Sequence, residues 1–561
     1  METKTKSSVY QLAMTAVMAA VIAVVAPFSI PAWGEVSFTL CTFVLYLSPY
    51  ILGWKKAAIA TLVYIMLGMV GMPVFSNFKS GLGVLAGPTG GYILGYIPMV
   101  IIGGLIIKAF PKNRAIHLGG MIKLSDHFNF KKLICFVIPS VCMMIFTSIY
   151  SVVDGFFVSN YAGKTPFAAL NLIYPLLMML AALGFMIGTG GSAVVSKALG
   201  EGRNKEANEY FSLLVYAALI AGIIISIFGF IFLKPLAIIL GADDNMIGYC
   251  LMYGRILLCS LPFFILQNVF QSFFVTAEKP TLGLLVTIGA GLTNIVLDYL
   301  LVGIFNYGLV GAAAATAASQ IIGGTIPIIY FVTKNSSLLR LTKCRFYGRI
   351  LLKTCTNGSS ELMTSISSSL VNMLYNLQLM KLAGENGIAA YGVIMYVNFI
   401  FVAIFLGYSI GSAPIIGYHY GAENHKELKG LLKKSLIITA VCGILLTASA
   451  ILLASPLSKI FVGYDEELFS LTRNGFRLFS LSFLITGFNI FASSFFTALG
   501  NGFVSAAISF SRTLLFQIAA VLLLPLLFGL NGIWLAVVAA EASSILVTAI
   551  FLIKNKNRYH Y

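Results

Sequence analysis

Four oxygen-bearing side chains sit where an apolar chain would not be expected to carry them. Asp154, Asn294, Asp298 and Thr316 lie inside apolar runs of roughly 20 residues, the length that spans a bilayer as helix. A charged side chain at the centre of such a run costs about 2.5–3.5 kcal/mol on insertion scales, so it marks a candidate site. Asn294 precedes Asp298 by one helical turn and shares its face. Counted by helical rise, Asp298 and Thr316 fall at matching depths, with Asp154 somewhat further outward. Two carboxylates that meet there would share a proton, or hold Na⁺ together with the Asn and Thr oxygens. The alternative for Asp154 is that it only caps the outer end of its helix.

The elements that must position these groups are membrane helices. Apolar residues make up 59% of the 561-residue chain and charged residues 10%, against about 25% charged in soluble domains. Strict alternation is absent, so helices rather than a barrel satisfy the backbone in lipid. The net charge of +17 reads as basic residues flanking helices on the cytoplasmic side, not as a nucleic-acid surface. The eight cysteines show no C-x-x-C pair and no Cys/His ligand spacing, so neither a metal site nor a disulfide framework is expected.

The chain contains an internal repeat. Ser148–Lys205 and Ser369–Lys426 correspond: Gly163 answers to Gly384 and Gly200 to Gly421 at one common offset (384 − 163 = 421 − 200). Asn268–Ala277 matches Asn489–Ala498 at the same offset. A period this long is a duplicated half-protein, not a solenoid repeat of roughly 20–50 residues. Six spans are expected between 133 and 332 and six between 355 and 553. Basic loops follow the second and eighth of these, and Asp243, Asp244, Asp465, Glu466 and Glu467 lie on the opposite side, which places both termini in the cytoplasm. Six spans per half gives the halves parallel topology around a central cavity.

The motifs VVDGFFVSNYAG, GTGGSAVVSKALGEG, NIVLDYLLV and GLVGAAAATAASQ, then NGSSELMTSISSSLVN, LAGENGIAAYG and PIIGYHYGAEN, resemble the multidrug and toxic compound extrusion (MATE) family over about residues 128–553. The resemblance implies an antiporter that exports organic cations against H⁺ or Na⁺. It also implies an N-lobe cation site at Asp154, Asn294, Asp298 and Thr316. The second lobe departs from that pattern, since Tyr375 stands at the repeat position of Asp154 and no acid replaces Asp298. Glu361, Asn372, Asn376, Tyr150, Tyr174, Met186 and Tyr391 are the candidates for a substrate cavity, because aromatic faces, Met and a carboxylate suit cationic aromatic compounds. Glu541 is a further intramembrane acid, and Arg255, Arg473, Arg477 and Arg512 are expected to snorkel or pair near helix ends.

Ahead of this block, spans are expected at 9–28, 36–52, 57–72 and 82–107. The run PVF…GPTGGY resembles the biotin-transporter substrate-binding (BioY) family over about 9–108. That family has six helices, and the resemblance covers four. It implies a vitamin site around Gly87, Pro88, Thr89, Gly90, Gly91 and Tyr92.

The expected fold is therefore an all-α polytopic membrane protein: twelve transmembrane helices in two six-helix lobes related by the repeat, preceded by about four more. Its divisions are a BioY-like segment at 1–110, a polar linker at 111–132, an N-lobe at 133–332, an interlobe connection at 333–354, a C-lobe at 355–553 and a tail at 554–561. Phe128–Lys132 is expected as an amphipathic lead-in on the membrane surface. The chain is expected to act as a monomer in the cell membrane, without cofactor, metal or nucleic-acid partner, its cargo being organic cations and H⁺ or Na⁺. Gly163-Lys164-Thr165 imitates the end of a phosphate loop, but Val158 stands where its first glycine belongs, so no enzyme is expected. The rival readings are a lipid-linked saccharide flippase and a biotin uptake component.

Overall fold

The computed structural model describes residues 122–561 except 162, 163 and 464. Before them it describes a discontinuous part of 15–109 that is unbroken over 52–76, 79–86 and 90–109. The expected linker up to 121, and much of the expected span at 9–28, lie outside the described residues. The chain divides into two compact units, Met1–Leu118 and Gly119–Tyr561.

In the first unit, strands β1 (Ser29–Pro31) and β2 (Ser37–Thr39) pair antiparallel, with Ile30 opposite Phe38. The expected span at 36–52 therefore does not begin as helix. Ser37-Phe38-Thr39 alternates polar and apolar at the period of a strand, which a count of apolar residues conceals. Helix α1 (Trp54–Met69) falls on the third expected span. The fourth is divided into α2 (Leu82–Ala86) and α3 (Gly90–Ala109). Tyr64 meets Phe75 edge-on with centroids 5.8 Å apart, and Gly68 leaves room for that Phe75 ring, which a Cβ would strike.

The second unit is helical throughout most of its described length. Its first half runs α4 (Phe130–Tyr161), α5 (Lys164–Gly200), α6 (Asn204–Ile239), α7 (Ile247–Thr276), α8 (Pro280–Asp298) and α9 (Gly308–Val332). A wide π turn over Tyr299–Ile304 extends α8. The second half runs α10 (Gly348–Gly421), α11 (His425–Val462), α12 (Glu466–Ser480), α13 (Phe483–Ala498), α14 (Gly502–Phe510), α15 (Phe516–Phe528) and α16 (Leu530–Tyr559). A second π turn, Ser511–Leu515, joins α14 to α15. Among the described residues ten helices are long and apolar enough to cross a membrane, or eleven when α12 and α13, bent by 47°, count as one span.

The 74 residues of α10 would reach about 111 Å if straight, far more than a hydrocarbon layer of about 30 Å. They fold back at Gly384, where φ is 59° and ψ is −147°. The Tyr391 hydroxyl donates to Asn372 Oδ1 at 2.7 Å, and the Tyr375 and Tyr391 rings stack 5.0 Å apart. Positions several turns apart cannot meet that way along one straight helix. Local capping explains several starts. Pro280 opens α8, where a missing N–H costs nothing. At its repeat mate the Asn501 side chain accepts from the Val504 amide instead. Asn424 and Asp465 cap α11 and α12 in the same way.

The two halves meet by reciprocal glycine contacts. A Cβ on Gly200 would strike the Tyr418 carbonyl, and one on Gly421 would strike the Lys197 carbonyl. These are the same pair in repeat register (418 − 197 = 421 − 200). Gly190 faces Gly358, and their mates Gly411 and Val137 face each other likewise. Contacts of i with j and of j with i define a two-fold pseudo-axis between α5 and the second arm of α10. They hold the lobes together at the end that carries Lys197 and Lys426, here called the basic end.

Within the expected lead-in Phe128–Lys132, Phe128 turns inward and Phe130 is exposed. Phe128 is fully buried, its ring edge-on to Phe136 at 6.0 Å and to His419 at 6.2 Å.

The corner at Gly384 supplies a test of the hairpin. Its backbone region is essentially reserved for glycine, at a cost of about 1–3 kcal/mol for other residues. Nothing lies near its missing Cβ. Gly384→Ala should lower the melting temperature of the detergent-purified protein through backbone strain alone. Gly392→Ala, also with open space around it but inside the helical arm, should be neutral or slightly stabilising. Equal effects of the two changes would contradict the assignment.

Candidate functional site

Three helices bring the four oxygen-bearing residues together. Asp154 lies near the end of α4, Asn294 and Asp298 close α8 just before its π turn, and Thr316 lies on α9. A Cβ on Gly291 would meet Phe146 and Tyr150, so the bare glycine lets α4 approach α8. Gly311 likewise lets α9 press on Leu301 in the π turn.

The Asp154 carboxylate is within hydrogen-bonding reach of Asp298, Thr316 and Asn294. The Thr316 hydroxyl donates to Asp154 Oδ1 at 3.4 Å, and Asn294 Nδ2 donates to Thr316 Oγ1 at 3.4 Å. Both bonds are long for their kind. Asp298 is 0% exposed, and neither of its oxygens meets a donor; Asn294 Oδ1 is also buried without one. What faces Asp298 is the other carboxylate, and two carboxylates offer each other only acceptors. Either one of them carries a hydrogen or a cation stands between them. The unpaired oxygens of Asp298 and Asn294, with Asp154 and Thr316, form an all-oxygen set suited to a proton or a hard cation.

The surroundings are aromatic. Tyr150, one helical turn before Asp154, Tyr174 and Tyr253 on α7 lie close enough to Asp154 to feel its charge, and Gln267 on α7 is in hydrogen-bonding reach of Tyr150. Tyr253 is 1% exposed and its hydroxyl has no partner. The sequence reading missed Tyr253 and Gln267. Their only signal was that α7 carries polar residues within a span.

The second lobe has no such pair. At the counterpart of Asp154, Tyr375 is buried against Tyr391 and its hydroxyl accepts from Gln517 at 3.4 Å. Asn372 accepts from Tyr391, and both Asn372 and Asn376 are exposed on the first arm of α10. Met186 is buried, its backbone against Gly358 at the lobe contact. Glu361 is half-buried on α10 and feels the charge of Arg512. Arg512 does not snorkel to a helix end. It sits in the π turn midway along its span and pairs with Glu541 at 3.4 Å, with side chains 12% and 7% exposed. Asn489 donates to the Glu541 carboxylate at 2.7 Å, and Thr548 donates to Asn489 at 2.9 Å. In the first unit, Gly87, Pro88 and Thr89 lie outside the described residues. Gly90 and Gly91 begin α3 together with Tyr92, and a Cβ on Gly90 would strike the Leu85 carbonyl.

Two helical lobes related by a pseudo-axis, with an ionisable pair buried in one of them, define a membrane transporter of the two-lobed type. The MatE family model matches twice, over residues 139–300 and 362–523, and the chain belongs to that family. The chain is similar to the multidrug export protein MepA of Staphylococcus saprophyticus, 25% identical over 411 residues that cover 72% of this chain and 88% of that protein. To MepA of Staphylococcus aureus it is 23% identical over 415 residues, covering 74% and 91%. An outward-facing structure of a multidrug resistance MATE family transporter of the MOP superfamily has the same fold, with a TM-score of 0.74 at 21% identity over 80% of this chain and 99% of that one. The BioY family model matches residues 1–183. That stretch is longer than the 9–108 expected from the motifs and runs through α4 into α5.

The Arg512–Glu541 pair should be structural first. Removing one partner of a buried pair costs about 3–5 kcal/mol, whereas replacing both with apolar residues is often near neutral. Arg512→Met should destabilise the purified protein sharply, and Arg512→Met with Glu541→Leu should recover much of the loss. A double variant as unstable as the sum of the two single changes would show that the ions are not coupled.

Proposed function

We propose that the chain exports organic, cationic drugs or toxins by antiport with H⁺ or Na⁺ through alternating access. The observation that carries this is Asp298: fully buried, both oxygens without a donor, and facing Asp154. The multidrug export names of the MepA relatives supply the substrate class.

In this reading α10 counts as two spans and α12–α13 as one, which makes twelve, in two lobes of six. The basic end is cytoplasmic, with both termini on that side. A proton or Na⁺ enters between Asp154 and Asp298 from outside and neutralises one of their two charges. The cation shifts the population of lobe arrangements, substrate leaves outward, and the lobes rock about the pseudo-axis. Coupling is one-sided, because Tyr375 replaces the acid in the second lobe. The flippase reading would want free cationic side chains inside the membrane, and Arg512 is already neutralised by Glu541.

Efflux of a cationic dye from cells expressing the full chain tests this. Asp298→Asn and Asp154→Asn should reduce efflux to background at normal expression. Thr316→Ala should weaken it by about tenfold, the order of one hydrogen bond to a charged group. Comparing Na⁺ with Na⁺-free buffer identifies the ion. Wild-type efflux from Asp298→Asn would remove the assignment.

A second reading belongs to the first unit, and the BioY match favours it: this unit takes up biotin. It predicts that the full chain binds biotin and that Gly90→Val, which drives a side chain into the Leu85 carbonyl, abolishes binding. Absence of biotin binding by the unaltered chain would end this reading.

A further inference from the structure

Residues 122–129 form a strap across both lobes at the basic end. On one side the Leu124 amide donates to Glu278 Oε1 at 2.6 Å. Glu278 lies in the short turn between α7 and α8 of the first lobe, with φ at 60°. Burial pushes its carboxyl up, and the Leu124 amide partly offsets that. On the other side Glu427, at the start of α11 in the second lobe, accepts twice. It takes His127 Nδ1 at 2.6 Å on Oε2 and the Phe128 amide at 2.9 Å on Oε1. Lys434, two turns further along α11, donates to the Phe128 carbonyl. Ile122, Leu124 and Phe128 are all buried, and the Phe128 ring rests on His419 of α10.

The anchors on the two sides of the strap thus belong to different lobes. They lie at the end where Gly200 and Gly421 bring the two lobes into backbone contact. The chain itself ties the strap to α4 of the first lobe, so opening that end must break the Glu427 and Lys434 bonds and uncover Phe128, while the Glu278 bond keeps the strap seated on its own lobe. Bonds to charged groups give the strap a hold of the size on which lobe arrangements are balanced.

We propose that the 122–129 strap is a latch that holds the basic end of the transporter closed, releasing it when the lobes rock to admit substrate. The latch rests on the alternating-access reading but not on which residues carry the coupling ion.

A distance measurement tests it without reference to efflux. Lys205 and Lys426 are repeat mates, both exposed, one on each lobe at this end. Spin labels on Lys205→Cys and Lys426→Cys, in a full chain freed of its eight native cysteines, report the opening in nanodiscs. The unaltered strap should give mainly the short distance. Glu427→Gln should raise the ratio of long to short by roughly tenfold, the worth of one such bond. Phe128→Ala, which keeps the backbone bonds, should raise it through the lost ring burial. Glu278→Gln, which loosens the strap only on its own lobe, should raise it less. Should Phe128→Ala fail to fold, Phe128→Leu is expected to shift the ratio in the same direction. Lys132→Gln removes the Asp126–Lys132 ion pair, which does not cross between lobes, from outside the strap and should leave the distribution unchanged. A distribution unchanged in both Glu427→Gln and the Phe128 variant, or shifted equally by Lys132→Gln, would overturn the latch. Loss of efflux in Asp298→Asn bears on the coupling site alone, so the two claims fail separately.

Discussion

Two carboxylates held against each other inside a hydrocarbon slab are the constraint on which the rest of the protein depends. Each alone would be costly there, and side by side they cannot both stay charged without something between them. The chain tolerates this only because three helices are held to fixed approach. Gly291 seats α4 on α8, Gly311 seats α9 on the π turn, and Tyr150, Tyr174 and Tyr253 lie near enough to feel the Asp154 charge. The same pressure makes the pair useful. In the proposed mechanism, a site that is unfavourable without a cation binds one with free energy that the lobe arrangement takes up.

The duplication produced two copies of the scaffold and one copy of that chemistry. Backbone features recur at the repeat offset: the reciprocal glycine contacts, and the helix starts after Pro280 and Asn501. Side chains diverged where function did. The second lobe put stacked Tyr375 and Tyr391 where the first has Asp154, and placed its own buried charges elsewhere, as an internally neutral Arg512–Glu541 pair. In the proposed mechanism one lobe responds to an ion while the other keeps its charge balanced internally.

Much of this is legible in the sequence, for reasons that can be named. Asp154, Asn294, Asp298 and Thr316 stand out because ionisable and polar groups in apolar runs are expensive, and helical rise puts Asp298 and Thr316 at matching depths with Asp154 somewhat further outward. The constant offset between matching segments exposes the duplicated lobes. What stays hidden depends on three-dimensional pairing. Tyr253 and Gln267 carry no charge to draw notice, and only the packing of α7 brings them towards Asp154 and Tyr150. Arg512 reads as a residue that snorkels or pairs near a helix end, and its partner Glu541 stays hidden because it sits on another helix, beyond any local spacing rule. Phe128 reads as a membrane-surface residue because nothing local shows that His419, far away in the second lobe, covers it. The strand at Ser37–Thr39 is lost inside an apolar window, since a short alternation weighs little in a count.

Cation binding to the purified protein tests the central claim most directly. Equilibrium binding of radioactive Na⁺, together with proton release on adding a cationic dye, needs no assumption about transport. The account predicts one exchangeable cation per chain, either Na⁺ or a proton, that is lost in Asp298→Asn and kept when Tyr375 is changed to Phe. A cation bound with unchanged stoichiometry in both Asp154→Asn and Asp298→Asn would place the coupling elsewhere and contradict the account.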